Sequence, residues 1–234
     1  MILAYHEFGA EPDAYAYSMH VAGFQSHVAL LGSNQWPGCE VSFDDGHATQ
    51  FDVAAPILEA NNLRGIFFVT VGWMGKKPGF LSQDQLRELT ARGHSVQCHG
   101  WSHKFLTACS EEELDQELHG ARKTLEDWLG VPVDALSAPG GRWDERVVRA
   151  CQKAGYRRFY LSNPWMNCRR RGELSLIGRY MVRNTLEEAG LRRLLTLSPA
   201  RRRWEASRYE FKEGVRRALG DDLYQKLWER ISNR

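Results

Sequence analysis

Seven short apolar or β-branched runs recur along the chain, and segments with helical spacing separate them. The runs are ILAYH (2–6), CEVSF (39–43), GIFFVT (65–70), HSVQC (94–98), VDALS (133–137), RFYLS (158–162) and SLIGRYMV (175–182). Runs of this length and composition predict strands. Between them, FDVAAPILEANN (51–62) places Val53, Ile57 and Leu58 on one helical face, and Leu86 with Leu89 repeats the pattern. Helix starts are marked by Ser82 with Gln85, Ser110 with Glu113 and Thr185 with Glu188, the spacing at which two side chains satisfy each other's free backbone donors. Gly93, Gly130 and Gly155 stand where the matching helices should stop. Strand and helix alternating in register predict a parallel α/β sheet or barrel.

After Val182 the pattern turns to helices alone, at 185–197, 199–219 and 221–232, with Trp204, Phe211, Val215, Leu219, Leu223, Leu227 and Trp228 available to line apolar faces. The expected organisation is therefore a barrel over 1–182 and a helical extension over 183–234 packed on it. Charge divides in the same region. Residues 166–234 hold 17 Lys and Arg against 9 Asp and Glu, although the whole chain of 234 residues carries only +2. The triplets at 169–171 and 201–203 suit a solvated face, or a membrane surface or other anionic partner; nucleic acid is not expected. Five cysteines without CxxC spacing argue against a disulfide framework or a cysteine zinc site. Neither a signal-peptide pattern nor a long uninterrupted apolar run is present in this chain, so a cytoplasmic location is expected.

In such sheets ligands bind at the C-terminal ends of strands, and four strands end in polar residues here. His6 ends the first, Asp44 and Asp45 follow the second, His99 and His103 follow HSVQC, and Pro139, Gly140 and Gly141 follow VDALS. Two imidazoles four residues apart can share a metal ion, and two His with one carboxylate leave positions open for water and substrate. Asp45 is the natural third ligand. The zincin motif HExxH supplies its base after the first His, but Gly100 occupies that slot. Asp44 is then the available base, and a dication offsets the repulsion between adjacent carboxylates. His6, with an ordinary pKa near neutrality, can serve as the acid for a leaving group. The lone residues His27 and His119 are read as packing or hydrogen-bonded core groups, as are Trp36, Trp73, Trp128, Trp204 and Trp228.

SFDDG, HGWSH about fifty residues later and APGG in the next strand-end loop together resemble the polysaccharide deacetylases of carbohydrate esterase family 4. The resemblance spans about residues 1–165, more weakly to about 182. It implies a distorted (β/α) barrel that removes N-acetyl, or sometimes O-acetyl, groups from amino-sugar glycans with one divalent ion. By position, Asp44 is similar to the family's base, and Asp45, His99 and His103 to its metal ligands. The loop Pro139–Gly141 is similar to one that borders the substrate groove, where a backbone N–H can help hold an oxyanion.

Two positions depart from the family pattern. Ser137 stands where an arginine commonly orients the base, and Arg142 is the candidate to replace it. The late Leu-x-His motif that supplies the acid is also absent, but LAYH (3–6) resembles a branch carrying that His on the first strand, as though the motif had been circularly permuted. Trp101 and Trp165 are candidates to stack on a sugar ring. Zinc is the first expected ion, with nickel, cobalt and iron(II) as alternatives. The expected substrate is an amino-sugar glycan or an activated or lipid-linked precursor of one. The rival readings are a carbohydrate-binding homologue with weak turnover, suggested by the missing arginine, and a deacylase acting on formyl-amino, lipid-linked or non-sugar amides.

Overall fold

The computed structural model describes residues 1–9, 15–33, 35–164 and 168–219. Trp165 and the expected helix 221–232, with Leu223, Leu227 and Trp228, lie outside them. The chain divides into two compact units, Met1–Leu195 and Thr196–Arg234.

The first unit is built on a nine-stranded sheet. In chain order the strands are β1 (Ile2–Tyr5), β2 (Glu7–Gly9), β3 (Ser18–His20), β4 (Glu40–Phe43), β5 (Gly65–Val69), β6 (Ser95–Cys98), β7 (Ala135–Ser137), β8 (Arg158–Leu161), β9 (Arg169–Arg171), β10 (Leu174–Gly178) and β11 (Tyr180–Met181). The sheet order is β11-β1-β4-β5-β6-β7-β8-β10-β9, with β2 and β3 paired separately. All neighbours in the large sheet are parallel except β9 with β10. This is the expected distorted (β/α) barrel. Its nine strands exceed the seven expected because an edge strand, β9, is added and the run SLIGRYMV is split.

That split shapes the barrel. β10 pairs with β8, β11 pairs with β1, and the single residue between them is Arg179. Its N–H donates to Leu161 O at 2.9 Å, and Val182 N–H then donates to Ala4 O at 2.8 Å. One continuous run thus crosses the seam between the chain's first strand and its last parallel ones.

Strand parity sorts the side chains, because alternate residues point to opposite faces. The register sets Ser42 beside Ala4 and Ile66, Phe68 beside Gln97, Ser137 beside Tyr160, and Ile177 beside Tyr160. Phe68, Ala135 and Tyr160 form a buried cluster against which Ile2, Ile66 and Ile177 pack, so this parity faces the barrel interior. Counting on in steps of two along each strand brings His6, Asp44, His99, Ser137 and Arg179 to the same face, above the apolar plug. The opposite parity packs beneath helices: Phe43 stacks on Phe67 at 4.6 Å, and both are fully buried, as is Leu58.

The helices are α1 (Val21–Gly32), α2 (Ala55–Ala60), α3 (Gln83–Ala91), α4 (Glu111–Asp115), α5 (Ala121–Leu129), α6 (Glu145–Lys153), α7 (Glu188–Leu195) and α8 (Pro199–Leu219). Reciprocal capping boxes at Ser82–Gln85 and Ser110–Glu113 form as expected, and Gly130 ends α5 in the left-handed conformation at φ 67°. The helix expected over 51–62 is shorter. Pro56 has no N–H to give, and Gln50–Ala54 form a wide turn before α2 begins. Wide turns also join α4 to α5 at Gln116–Gly120.

Helix α7 belongs to the first unit, where it buries Leu191, Leu194 and Leu195. In the second unit, α8 exposes Arg201, Arg202 and Arg203, and the guanidiniums of Arg201 and Arg208 lie over the Trp204 ring, 4.2 and 4.7 Å from its centroid. No helix among the described residues is long and apolar enough to cross a membrane. None of the five cysteines is in a disulfide.

Candidate metal centre and catalytic site

Asp45, His99 and His103 each offer one ligand atom, and these atoms lie within 4.8 Å of one another. Asp45 Oδ1 is 3.3 Å from His99 Nε2 and 3.1 Å from His103 Nε2. Local backbone geometry makes this convergence possible. Asp45 and His103 both adopt positive φ, 75° and 66°, a conformation that costs an ordinary residue about 1–3 kcal/mol and persists only where surroundings enforce it. Gly46 and Gly100 share it at 85° and 80°. The chain therefore turns at Asp45 itself as well as at the glycine that follows.

Backbone contacts from the loop after β5 hold both turns. Thr70 N–H donates to Asp45 O, Val71 N–H to Gly100 O and Gly72 N–H to Trp101 O, at 3.2, 3.0 and 2.8 Å. Trp73 stacks on His103 with centroids 5.2 Å apart, and Lys77 Nζ covers the tryptophan ring at 3.6 Å. Trp73 is thus part of the site wall, a role that its sequence context did not suggest.

The donor set fits a cation. His99 Nδ1 is 3.0 Å from Ser137 O, which assigns the proton to Nδ1 and turns the Nε2 lone pair toward Asp45. Asp45 Oδ1 is buried without a hydrogen-bond partner among the described residues. Burial works against its ionisation, yet His103 and His99 hold its carboxyl well below the usual carboxylate range. For His99, burial favours the neutral ring, but Asp44 and Asp45 outweigh it and raise the pKa. A negative field focused on converging lone pairs is the environment a divalent ion neutralises.

Asp44 is held by a residue that sequence reasoning missed. Arg179 Nη1 donates to its Oδ1 and Nη2 to its Oδ2, both at 2.7 Å. Nη2 also donates to Ser137 Oγ at 2.6 Å, and that hydroxyl donates to Asp44 Oδ2 at 3.2 Å. Arg179 and Asp44 are 1% and 3% exposed. Burial alone would raise the Asp44 pKa, but the guanidinium outweighs it and keeps the carboxyl below the usual range. Arg142, the expected replacement for the absent arginine, instead lies over the Phe105 ring at 3.9 Å. The sequence did carry a signal: a charged residue inside SLIGRYMV, facing the interior by parity, must be paired or it would be prohibitively costly.

His6 directly follows β1 beside Asp44, with a buried Nδ1 that has no partner among the described residues. Its ring lies 4.8 Å from Tyr17 and 6.4 Å from Tyr15. Burial lowers its pKa against the opposing pull of Asp44 and Asp45. Gln50, fully buried, ties the two strand ends together by donating Nε2 to His6 O at 2.6 Å and Asp44 O at 2.5 Å. Pro139, Gly140 and Gly141 follow β7 next to the His99 loop, with Gly140 and Gly141 at φ 62° and 68°. The Gly141 N–H is already given to Ala138 O. Trp101 lies between the two histidines, Lys76 Nζ 5.9 Å over its ring. His27 is a core residue as expected, accepting from or donating to Tyr5 Oη through Nδ1 at 3.0 Å.

The polysaccharide deacetylase family model matches residues 37–159, just over half of the chain. The chain belongs to the polysaccharide deacetylase family. Chitin deacetylase 1 of Cryptococcus neoformans is 31% identical over 115 residues, 49% of this chain and 23% of that protein. The peptidoglycan-N-acetylglucosamine deacetylase of Bacillus cereus is 26% identical over 117 residues, 50% of this chain and 52% of that protein. The chain spans from about a quarter to about half the length of the curated relatives it matches. Among solved structures, the Streptococcus pyogenes deacetylase PplD in complex with acetate shares the fold with a TM-score of 0.72 at 19% identity, over 85% of this chain and 97% of that one.

Proposed function

We propose that this polysaccharide deacetylase family member hydrolyses N-acetyl groups on an amino-sugar glycan, using a divalent ion, zinc first among the candidates, held by Asp45, His99 and His103. The observation that carries the reading is the adjacency of that ligand set to a buried, doubly held carboxylate at Asp44. The relatives named for deacetylating chitin and peptidoglycan N-acetylglucosamine support the substrate class. When bound, the ion supplies Lewis acidity that polarises an acyl oxygen and makes water more acidic.

The chain's own groups divide the proton work. Asp44 takes a proton from the attacking water. Its Oδ2 already accepts from Arg179 and Ser137, whereas Oδ1 accepts from Arg179 alone, so Oδ1 retains the lone pair for that proton. His6, in register beside Asp44 and with an uncommitted ring nitrogen, delivers a proton to the departing amine. Trp101, Arg142 and the Pro139–Gly141 loop border the glycan. A non-catalytic carbohydrate-binding role drew its support from the missing arginine, and Arg179 removes that support.

The test is acetate release from N-acetylated chito-oligomers and from peptidoglycan fragments by the zinc-loaded protein, alongside Asp44→Asn and His6→Ala. Both variants should fall by at least about 100-fold, within the range for loss of a general acid or base. Wild-type turnover by Asp44→Asn would remove the assigned base.

A further inference from the structure

Beneath the metal-ligand loop lies a buried carboxylate that the proposed reaction does not use. Glu117 is 4% exposed and sits in the wide turn Gln116–Gly120 that interrupts the helical run from α4 to α5. Turns of this kind re-aim a side chain out of helical phase. Here Glu117 reaches under HGWSH. Trp101 N–H donates to Oε2 at 2.7 Å, Ser102 N–H donates to Oε2 at 3.0 Å and Oε1 at 3.2 Å, and Ser102 Oγ donates to Oε1.

Both held N–H groups belong to residues between the two histidines. They fix the path by which the chain leaves His99 and reaches His103, whose φ of 66° an ordinary residue adopts only under constraint. Gly100 completes the arrangement. A Cβ there would stand 2.8 Å from Glu117 Oε2, and the φ of 80° already disfavours a side chain. The glycine is required by the carboxylate as much as by the turn.

We infer that Glu117 is a positioning residue for the ion: it sets the His99–His103 spacing by gripping the intervening backbone, and Gly100 is the opening through which it does so. The inference rests on the reading that Asp45, His99 and His103 hold a metal. Glutamine can replace most of this grip, since its carbonyl oxygen can accept the two N–H groups while its amide donates to Ser102 Oγ. Alanine cannot, and aspartate holds the carboxylate one methylene too far back.

Calorimetric titration of metal-stripped protein with Zn²⁺, paired with thermal melting of the same samples, tests this without relying on turnover. Glu117→Ala, Glu117→Asp and Gly100→Ala should each bind Zn²⁺ about 10- to 100-fold more weakly, the range for lost outer partners of metal ligands. Glu117→Gln should bind within a few-fold of wild type. If Glu117→Ala is insoluble, Glu117→Asp and Gly100→Ala decide. Wild-type Zn²⁺ affinity in either of those variants, even with a lowered melting temperature, would reduce Glu117 to a structural role and overturn the inference. Absence of Zn²⁺ binding by wild type would instead overturn the metal reading itself, and this inference with it.

Discussion

Replacing Arg179 by Met removes the guanidinium from the barrel while keeping a side chain of similar reach. Four hydrogen bonds are lost: two to Asp44, one to Ser137 Oγ and one from Nη1 to Ser42 Oγ at 3.2 Å. The larger effect is on what remains, because Asp44 stays buried without its counter-charge. Removing one member of a buried ion pair costs about 3–5 kcal/mol, and two charge-assisted bonds at about 1.5–3 kcal/mol each give a similar figure. At about 2–4 °C per kcal/mol for a chain of this size, the melting temperature should fall by about 6–20 °C. Urea unfolding supplies the free energy directly, provided the transition is two-state.

A double-mutant cycle separates pairing from packing. If the loss comes from the stranded carboxylate, Asp44→Asn in the Arg179→Met background should recover a substantial part of it, with a coupling of at least about 1.5 kcal/mol. Catalysis should respond more sharply than stability. Arg179→Lys keeps the charge but not the two-point grip, and a base displaced by about 1 Å loses about 100-fold in rate. Acetate release should therefore drop in kcat with little change in KM. Wild-type stability in Arg179→Met together with wild-type kcat in Arg179→Lys would refute the reasoning.

Ser137→Ala deletes the hydroxyl shared by Asp44 and Arg179 and leaves both partners buried, so it should cost about 1–3 kcal/mol in urea unfolding while retaining the fold. Glu59 accepts from Arg92 at 2.8 and 2.9 Å and from His94 at 2.8 Å, and the Arg92 guanidinium brings its pKa down from 4.5 to about 2. A carboxylate more acidic in the folded state stabilises fully above the unfolded value and loses that contribution as pH falls through the folded one. The melting-temperature gap between wild type and Glu59→Gln should thus be widest above pH 4.5 and close toward pH 2; a gap independent of pH would exclude the ion pair as its source. Chelator-stripped protein should melt lower than zinc-loaded protein, by about 4 kcal/mol of stabilisation when free ion is a thousand times its Kd, and Asp45→Ala should show no such difference.

Much of this site was legible because each motif is local. Asp44 and Asp45 are neighbours, His99 and His103 are four apart, and both pairs directly follow apolar runs that become β4 and β6. His6 was legible as the polar residue at the end of the run ILAYH. Arg179 and Glu117 were not legible, for different physical reasons. Arg179 acts across 135 residues, and its partner depends on SLIGRYMV splitting between β8 and β1. Glu117 sits in EEELDQELHG, where regular helical phase gives no reason for it to turn inward until a wide turn intervenes. Trp73 was assigned to packing because nothing in VGWMG states which ring it will cover.

The seam explains why these long-range groups converge where they do. Asp44 is aligned with His6 by the pairing of β1 with β4, whereas its orienting arginine arrives from the run that binds β8 before the break and β1 after it. Below Arg179 lie the Phe68 and Tyr160 rings, 5.0 and 5.9 Å from the guanidinium. The barrel interior is thus layered from apolar plug to guanidinium to Asp44, with His6 beside it. Each layer depends on the one beneath: the rings shield the cation on one side, which strengthens its grip on the base. A sheet that failed to close at β10 and β11 would lose the orienting cation and loosen the strand carrying His6 together. Barrel closure and the ordering of Asp44, the proposed base, should therefore be a single cooperative event in this chain, since the residue that crosses the seam is also the one that holds that carboxylate.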